Sequence, residues 1–447
     1  MEVAVAGSGR AQSAAAADGA NAFRMSDLQA KLIFEQLTQA FAKSQDFSRR
    51  EVERRQAALL ERLVRHAHAN VPFYRDSGRL KPLFRADGAF DMAGWKDVPV
   101  LTRNEAKANE EALHARVTPP DMGELAVYST SGSTGTPLKF RQTLVQRVAS
   151  EVLINRALQW CDLWPMGAFA LAPNLAATND PPPGMVVISP NLDFQSQVDL
   201  LRRHRTTHAL SLPSIAEAWA ETAGEGGLPD LRALLITGSV LRPEVRARIM
   251  RGLHVKVVNL YSTSELGPIA AEGPDGRLRV NEEVVWLEGP RSAAEAKAPT
   301  RIVVTPFYAF ATPLIRYAPG DYVRFSTAAP KRAPGLRRLD EVVGRARGLL
   351  RLPDGRPFMA WGIHGNTLAT ILDHREWQLV QTSLSEMTMK MAVPRPPSAE
   401  QIQALEDYLK TVLPHHRTSI AFVVAIDNPM ASGKPYEPFV SLLDPVA

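Results

Sequence analysis

Apolar residues recur at helical spacing in the first quarter of the chain and as short strand-like runs further on. Val52, Leu59, Leu60, Leu63, Val64 and Ala67 lie on one face, with arginines and glutamates between them, which predicts an amphipathic helix. Ser48 and Glu51 have the spacing of a capping box, and Phe47 and Val52 that of a hydrophobic staple. Proline disfavours helical backbone in the residue before it, so Val71-Pro72-Phe73-Tyr74 ends this helix. Residues 23–115 read as mainly helical. Residues 1–22, rich in Ala, Gly and Ser, read as a disordered tail.

From about residue 120 strands and helices alternate. Residues 125–128 predict a short strand that runs into a Ser/Thr/Gly loop, and residues 231–236 an apolar strand with a turn at Gly238. A helix follows over 242–251, with Pro243 in its first turn and Gly252 as its C-cap, and then a strand over 255–260. This order predicts an α/β fold, whose ligands sit beyond the carboxyl ends of the strands. Loops are expected over 289–300 and 326–336, a helix over 399–413 and a strand over 420–426. A boundary at Gly344-Arg345 divides a large domain, 23–344, from a small one, 345–447.

Composition narrows the function. The chain has 447 residues, enough for about two or three domains of roughly 150 residues. Its 52 Lys+Arg against 47 Asp+Glu give +5, which favours anionic small ligands, and with no basic run it speaks against nucleic acid. A single cysteine, Cys161, excludes an intrachain disulfide and a multi-cysteine zinc site, and fits a reducing, cytoplasmic setting. No apolar run of about 18 residues predicts a membrane span.

Four segments carry candidate chemistry. In YSTSGSTGTPLKF (128–140) glycines let the backbone approach a ligand, and hydroxyls and amides can wrap phosphate oxygens. It lacks the Gly-Lys-Ser/Thr of a Walker loop, and a flexible linker is the plain alternative. In NLYSTSELGP (259–268) Tyr261 can stack on a purine, Ser264 can bond a phosphate and Glu265 can hold magnesium; the plain alternative is a capped turn. In TPLIRYAPGDYVRF (312–325) Asp321 can meet a ribose diol, or close an ordinary hairpin. In MASGKPYEPF, Lys434 alone would be a solvated surface charge.

Taken together, in this order and spacing, the four segments resemble the adenylate-forming enzyme superfamily, and within it the phenylacetate–coenzyme A ligase-like branch. The Val71-Pro72-Phe73-Tyr74-Arg75 stretch and the run Pro313-Leu314-Ile315-Arg316-Tyr317 agree with that branch. The resemblance implies a large N-terminal domain of mixed sheets and helices with a small mobile α+β C-terminal domain. Ser131, Gly132, Ser133, Thr134 and Gly135 would hold the outer phosphates of ATP. Gly238 and Ser239 would border the adenine and Tyr261 its face. Ser264 would meet the α-phosphate, Glu265 Mg2+, and Asp321 with Arg345 the ribose; Lys434 would be the catalytic lysine. His208 and Ser211, with Trp160 and Phe169 as walls, would lie in the acyl pocket, although core packing is the competing reading of each.

The implied activity is ATP-dependent formation of an acyl-AMP from a small carboxylic acid, aryl or arylacetic on the branch resemblance, then of a coenzyme A thioester. Transfer to an amine or a carrier-protein thiol, or a non-catalytic nucleotide-binding protein, are the alternatives. Two positions depart from the pattern: Thr136 stands where many relatives carry lysine, and Ala346-Arg347-Gly348 follows the hinge where acidic residues are common.

Overall fold

The computed structural model describes residues 15–129, 138–172, 185–189, 191–290, 299–327, 334–345, 350–355, 357–358, 363, 365–374, 376–424 and 439–443. Three helices open it, α1 (Ala15–Ser44), α2 (Arg49–Asn70) and α3 (Pro72–Ser77). Helix α1 begins inside the expected tail, because alanine is the strongest helix former and carries the helix back to Ala15. Residues 1–14 lie outside the described residues. At α2 the capping box forms as its spacing predicts: the Ser48 hydroxyl accepts the Glu51 amide, and the Glu51 carboxylate accepts the Ser48 amide at 2.8 Å. Helix α2 ends at Asn70, and Pro72 begins α3.

Strand β1 (Leu101–Thr102) and helix α4 (Arg103–Ala108) follow. Next come a hairpin of β2 (Leu125–Ser129) and β3 (Lys139–Thr143), and helix α5 (Leu144–Trp160). The alternating region runs β4 (Phe169–Leu171), β5 (Met185–Val187), α6 (Phe194–Arg203), β6 (His208–Ser211) and α7 (Pro213–Ala223). It continues with β7 (Ala233–Ile236), α8 (Pro243–Leu253) and β8 (Lys256–Thr263). Neighbours in the order β5-β4-β6-β7-β8 are all parallel. Every residue of β7 is buried: Leu234 and Ile236 pack under α6–α8, whereas Ala233 and Leu235 face α5. Helices on both faces are what turn such a strand into a continuous apolar run.

Gly252 is not a C-cap. It lies inside α8, and the left-handed residue after the helix is His254 (φ +54°). A Cβ at Gly252 would stand 3.0 Å from the Ala220 carbonyl oxygen, so this glycine serves the close approach of α8 to α7.

Strand β9 (Gly267–Glu272) extends the sheet antiparallel to β8, and β10 (Leu278–Val280) follows antiparallel to β9. Then come β11 (Val285–Leu287), β12 (Thr300–Arg301), β13 (Val304–Pro306), β14 (Tyr317–Ala318), β15 (Asp321–Phe325) and β16 (Arg338–Arg345). Strands β12, β15 and β16 complete a mixed ten-stranded sheet, and β1, β14, β13 and β11 form a separate one of four.

After β16 the chain forms β17 (Leu350–Arg351), β18 (Pro357–Phe358), α9 (Gly365–Ile371), β19 (Glu376–Gln381) and β20 (Glu386–Val393). It ends with α10 (Ala399–Val412), β21 (Arg417–Val424) and β22 (Phe439–Ser441). This part has its own sheet, β21-β20-β19-β22, over a core that includes Trp377, Met389 and Leu405. Arg242, at the start of α8, sets its guanidinium 5.6 Å from the Trp377 ring. Among the described residues no helix is long and apolar enough to cross a membrane.

Candidate active site

The parallel strands deliver their carboxyl ends to one edge of the sheet, and the turns there hold several of the candidate residues. Gly238 follows β7 at φ +78°, and a Cβ on it would stand 2.5 Å from a Leu212 methyl, so only glycine fits. Thr237 and Ser262, after β7 and near the end of β8, bring their hydroxyls within 2.7 Å. Tyr261 on β8 is buried and donates its hydroxyl to Asp321 Oδ2 at 2.9 Å. Asp321, the first residue of β15, is also buried and pairs in register with Arg345, the last residue of β16.

Glu265 lies in the turn from β8 to β9 and is 4% exposed. The Tyr317 hydroxyl donates to its Oε1 at 3.0 Å. Burial, and then the negative charge of Glu265, push the Tyr317 hydroxyl far above its ordinary range, so it stays a protonated donor; Arg103 acts in the opposite sense. The capping oxygen of this turn belongs to Thr263, whose hydroxyl accepts the Leu266 amide at 3.2 Å, and not to Ser264, which is exposed.

The hairpin β2–β3 docks on the same turn. Gln142 Nε2 donates to the Ser264 carbonyl at 3.3 Å, and the Arg141 amide to Thr312 Oγ1 at 2.9 Å. Thr312 also lies 3.0 Å from His114 Nδ1. Ser129 pairs with Lys139 at the open end of the hairpin, where the Lys139 amide donates to Glu110 at 2.6 Å. Ser131, Gly132, Ser133, Thr134 and Gly135 follow Ser129 in the sequence and lie outside the described residues; Lys434 and the Arg345 side chain lie outside them too.

Tyr317 is held in place from the N-terminal layer. Arg316 before it has φ +51° and is 9% exposed. Its guanidinium forks onto Glu288 at 2.7 and 2.8 Å and donates to the carbonyls of Trp95, Lys96 and Val98.

The proposed acyl-pocket residues divide. Ser211 stands at the carboxyl end of β6, fully buried, its hydroxyl donating to the Leu212 carbonyl at 3.1 Å. His208 and Phe169 pair with each other at the amino ends of β6 and β4, away from that edge. His208 is fully buried: Nε2 donates to the Leu163 carbonyl at 2.9 Å and Nδ1 accepts the Gly167 amide. No ring nitrogen is left for a substrate. Trp160 ends α5, donates to Gln45 at 2.7 Å and carries the Arg156 and Arg279 guanidiniums on its faces. His208, Phe169 and Trp160 are therefore packing residues. Sequence reasoning gave no role to Arg103, Thr237, Ser262 or Thr312: Arg103 reaches the edge from a distant segment, whereas the other three stand within or beside the segments already singled out, and Tyr317 is visible only inside the Pro-Leu-Ile-Arg-Tyr run.

The single buried carboxylate of Glu265 would suit magnesium, which keeps waters and phosphate oxygens and takes one or two carboxylates. Among the described residues no group of three or more His, Cys, Asp or Glu forms a cage for a metal.

A nucleotide-binding α/β enzyme of the adenylate-forming type is the class that this fold and edge define. A family profile described as AMP-binding enzyme matches residues 16–285, and the chain belongs to that family of ATP-dependent, AMP-forming ligases. No curated protein matches the chain. Among solved structures it is similar to a 2-hydroxyisobutyryl-CoA ligase in the postadenylation state with R3-HIB-AMP. That likeness has a TM-score of 0.65 at 16% identity and covers 87% of this chain and 90% of that one. The same ligase with 2-HIB-AMP and CoA in the thioesterification state gives 0.53 at 17% identity, over 87% and 90%. An anthranilate-CoA ligase with anthranoyl-AMP gives 0.50 at 12%, over 70% and 66%.

Proposed function

We propose that the protein activates a carboxylic acid with ATP, forming an acyl-AMP and pyrophosphate, and then transfers the acyl group to coenzyme A. The observation that carries this reading is the convergence of the Tyr261–Asp321 and Tyr317–Glu265 hydrogen bonds on one strand edge, beside the hairpin that bears the 131–135 loop. In it Tyr261, Gly238 and Ser239 receive the adenine, Asp321 and Arg345 the ribose, and Ser264 the α-phosphate. The loop takes the outer phosphates.

The chemical difficulty is charge. A carboxylate approaching an anionic phosphorus at about 4 Å meets roughly 4 kcal/mol of repulsion at an effective dielectric of 20. Lys434, reaching between the two anions, offsets that repulsion at the moment of attack. A magnesium ion on Glu265 would neutralise charge on the phosphates and on the leaving pyrophosphate. Tyr317 keeps the Glu265 carboxylate oriented by donating to one oxygen.

The branch resemblance supports an aryl or arylacetic acid, and the CoA ligases among the structural neighbours agree with coenzyme A as acceptor. Pyrophosphate exchange with a panel of acids tests adenylation, and no exchange with any acid overturns it in favour of a nucleotide-binding protein. Product analysis with coenzyme A, amines and carrier proteins then assigns the acceptor. For Lys434→Ala the expected outcome is a loss of about 10²–10³ in exchange with near-normal ATP binding.

A further inference from the structure

Arg103 opens α4, directly after β1. Its Nη1 stands 3.9 Å from Glu265 Oε1, with 18% of the arginine side chain and 3% of the glutamate exposed. That separation is too long for a hydrogen bond, so charge and not a shared proton relates the two groups. Strand β1 runs parallel to β14 with Leu101 opposite Tyr317 and Thr102 opposite Ala318, which sets Arg103 beside the Tyr317–Glu265 bond. Just past the other end of α4, Glu110 accepts the Lys139 amide where the hairpin opens. Helix α4 therefore borders both the Glu265 turn and the base of the 131–135 loop. Thr136 follows that loop in the sequence, and Lys139 is its nearest basic residue along the chain.

We propose that Arg103 binds the outer phosphates of ATP and the departing pyrophosphate, supplying from α4 the cation that the loop itself lacks. The proposal rests on the nucleotide-binding reading above. A guanidinium offers paired N–H donors that match two phosphate oxygens at once, and it stays charged at any working pH. In ATP adenylation the acid oxygen forms a bond to the α-phosphorus while the bond from that phosphorus to the bridging oxygen breaks. The electron pair leaves with pyrophosphate. A fixed cation at that end stabilises charge that grows during the step, which is where electrostatic preorganisation is most effective.

The competing role is positioning alone, with Arg103 merely steadying Glu265. Calorimetric titration of wild type, Arg103→Gln and Arg103→Lys with inorganic pyrophosphate, with Mg2+ and again in chelator, separates the two. Direct contact predicts that Arg103→Gln weakens pyrophosphate binding on the order of 10- to 100-fold in both conditions, the range for a lost hydrogen bond to a charged group. Arg103→Lys recovers part of it as a point charge. A non-reactive acyl-adenylate mimic, lacking the outer phosphates, should bind wild type and Arg103→Gln alike. A deficit confined to the Mg2+ titration, or an equal loss for pyrophosphate and the mimic, overturns the proposal. So does unchanged pyrophosphate affinity in a variant that thermal melting shows to be folded. Wild type that binds pyrophosphate through Arg103 yet exchanges with no acid would sink the ligase reading and leave this one standing.

Discussion

The two ends of the central parallel strands are built from similar residues and do opposite work. At the amino ends, His208 and Phe169 sit opposite each other, and His208 spends both ring nitrogens on protein groups. At the other edge Tyr261, Glu265 and Asp321 are also buried, yet Tyr261 bonds Asp321 and Tyr317 bonds Glu265 along an edge flanked by turns. A buried polar side chain marks a site only where the backbone around it ends. Elsewhere it closes a gap in the core.

Substitutions at either end sharpen that contrast. The largest effect is expected for Glu265→Gln, which keeps an acceptor for Tyr317 but removes the charge. Exchange should fall by about 10²–10³ with the unfolding midpoint nearly unchanged. A fall of less than tenfold would mean that the carboxylate is not a metal ligand.

At the amino end His208→Leu should do the reverse. It strands the Leu163 carbonyl and the Gly167 amide, and about 1–3 kcal/mol of stability should be lost in urea denaturation for each group left unsatisfied. KM for ATP and acid should hold; a raised KM for the acid with unchanged stability would return His208 to the pocket.

The smallest effect is on pH dependence. Burial first of all lowers the proton affinity of His66, His114, His208 and His374 below that of an ordinary histidine. The unfolded chain then binds more protons than the folded one as the pH drops below about 6.5. Stability from these groups is present above that value and declines on acidification. The urea midpoint should decline between pH 7.5 and 5.5, and His208→Leu should decline less steeply; equal slopes would remove His208 from the set.

Much of this organisation is legible in the sequence because local signals decide it. The Ser48–Glu51 box needs only spacing, the β7 run needs only its continuous burial, and Pro243 needs only a first turn that has no use for its amide. What is not legible depends on distance along the chain or on direction. Whether His208 or Ser211 faces a ligand is decided by which end of one four-residue strand each occupies. Arg103 and Tyr317 meet Glu265 only because β1 pairs with β14 across nearly half the chain. Gly252 looks like a cap since most terminal glycines are, but here the nearness of Ala220 decides.

The clasp around Arg316 bears on any effort to trim the protein to a catalytic module. Cutting away the first hundred residues would delete Trp95, Lys96 and Val98, whose carbonyls receive that guanidinium. Each hydrogen bond it leaves unmade in the interior would cost about 1–3 kcal/mol, on top of a left-handed backbone that no longer has a reason to persist. The helical layer that resembles an appendage is thus a keystone: a shortened protein would lose the seat of Tyr317 before it lost a single residue of the strand edge.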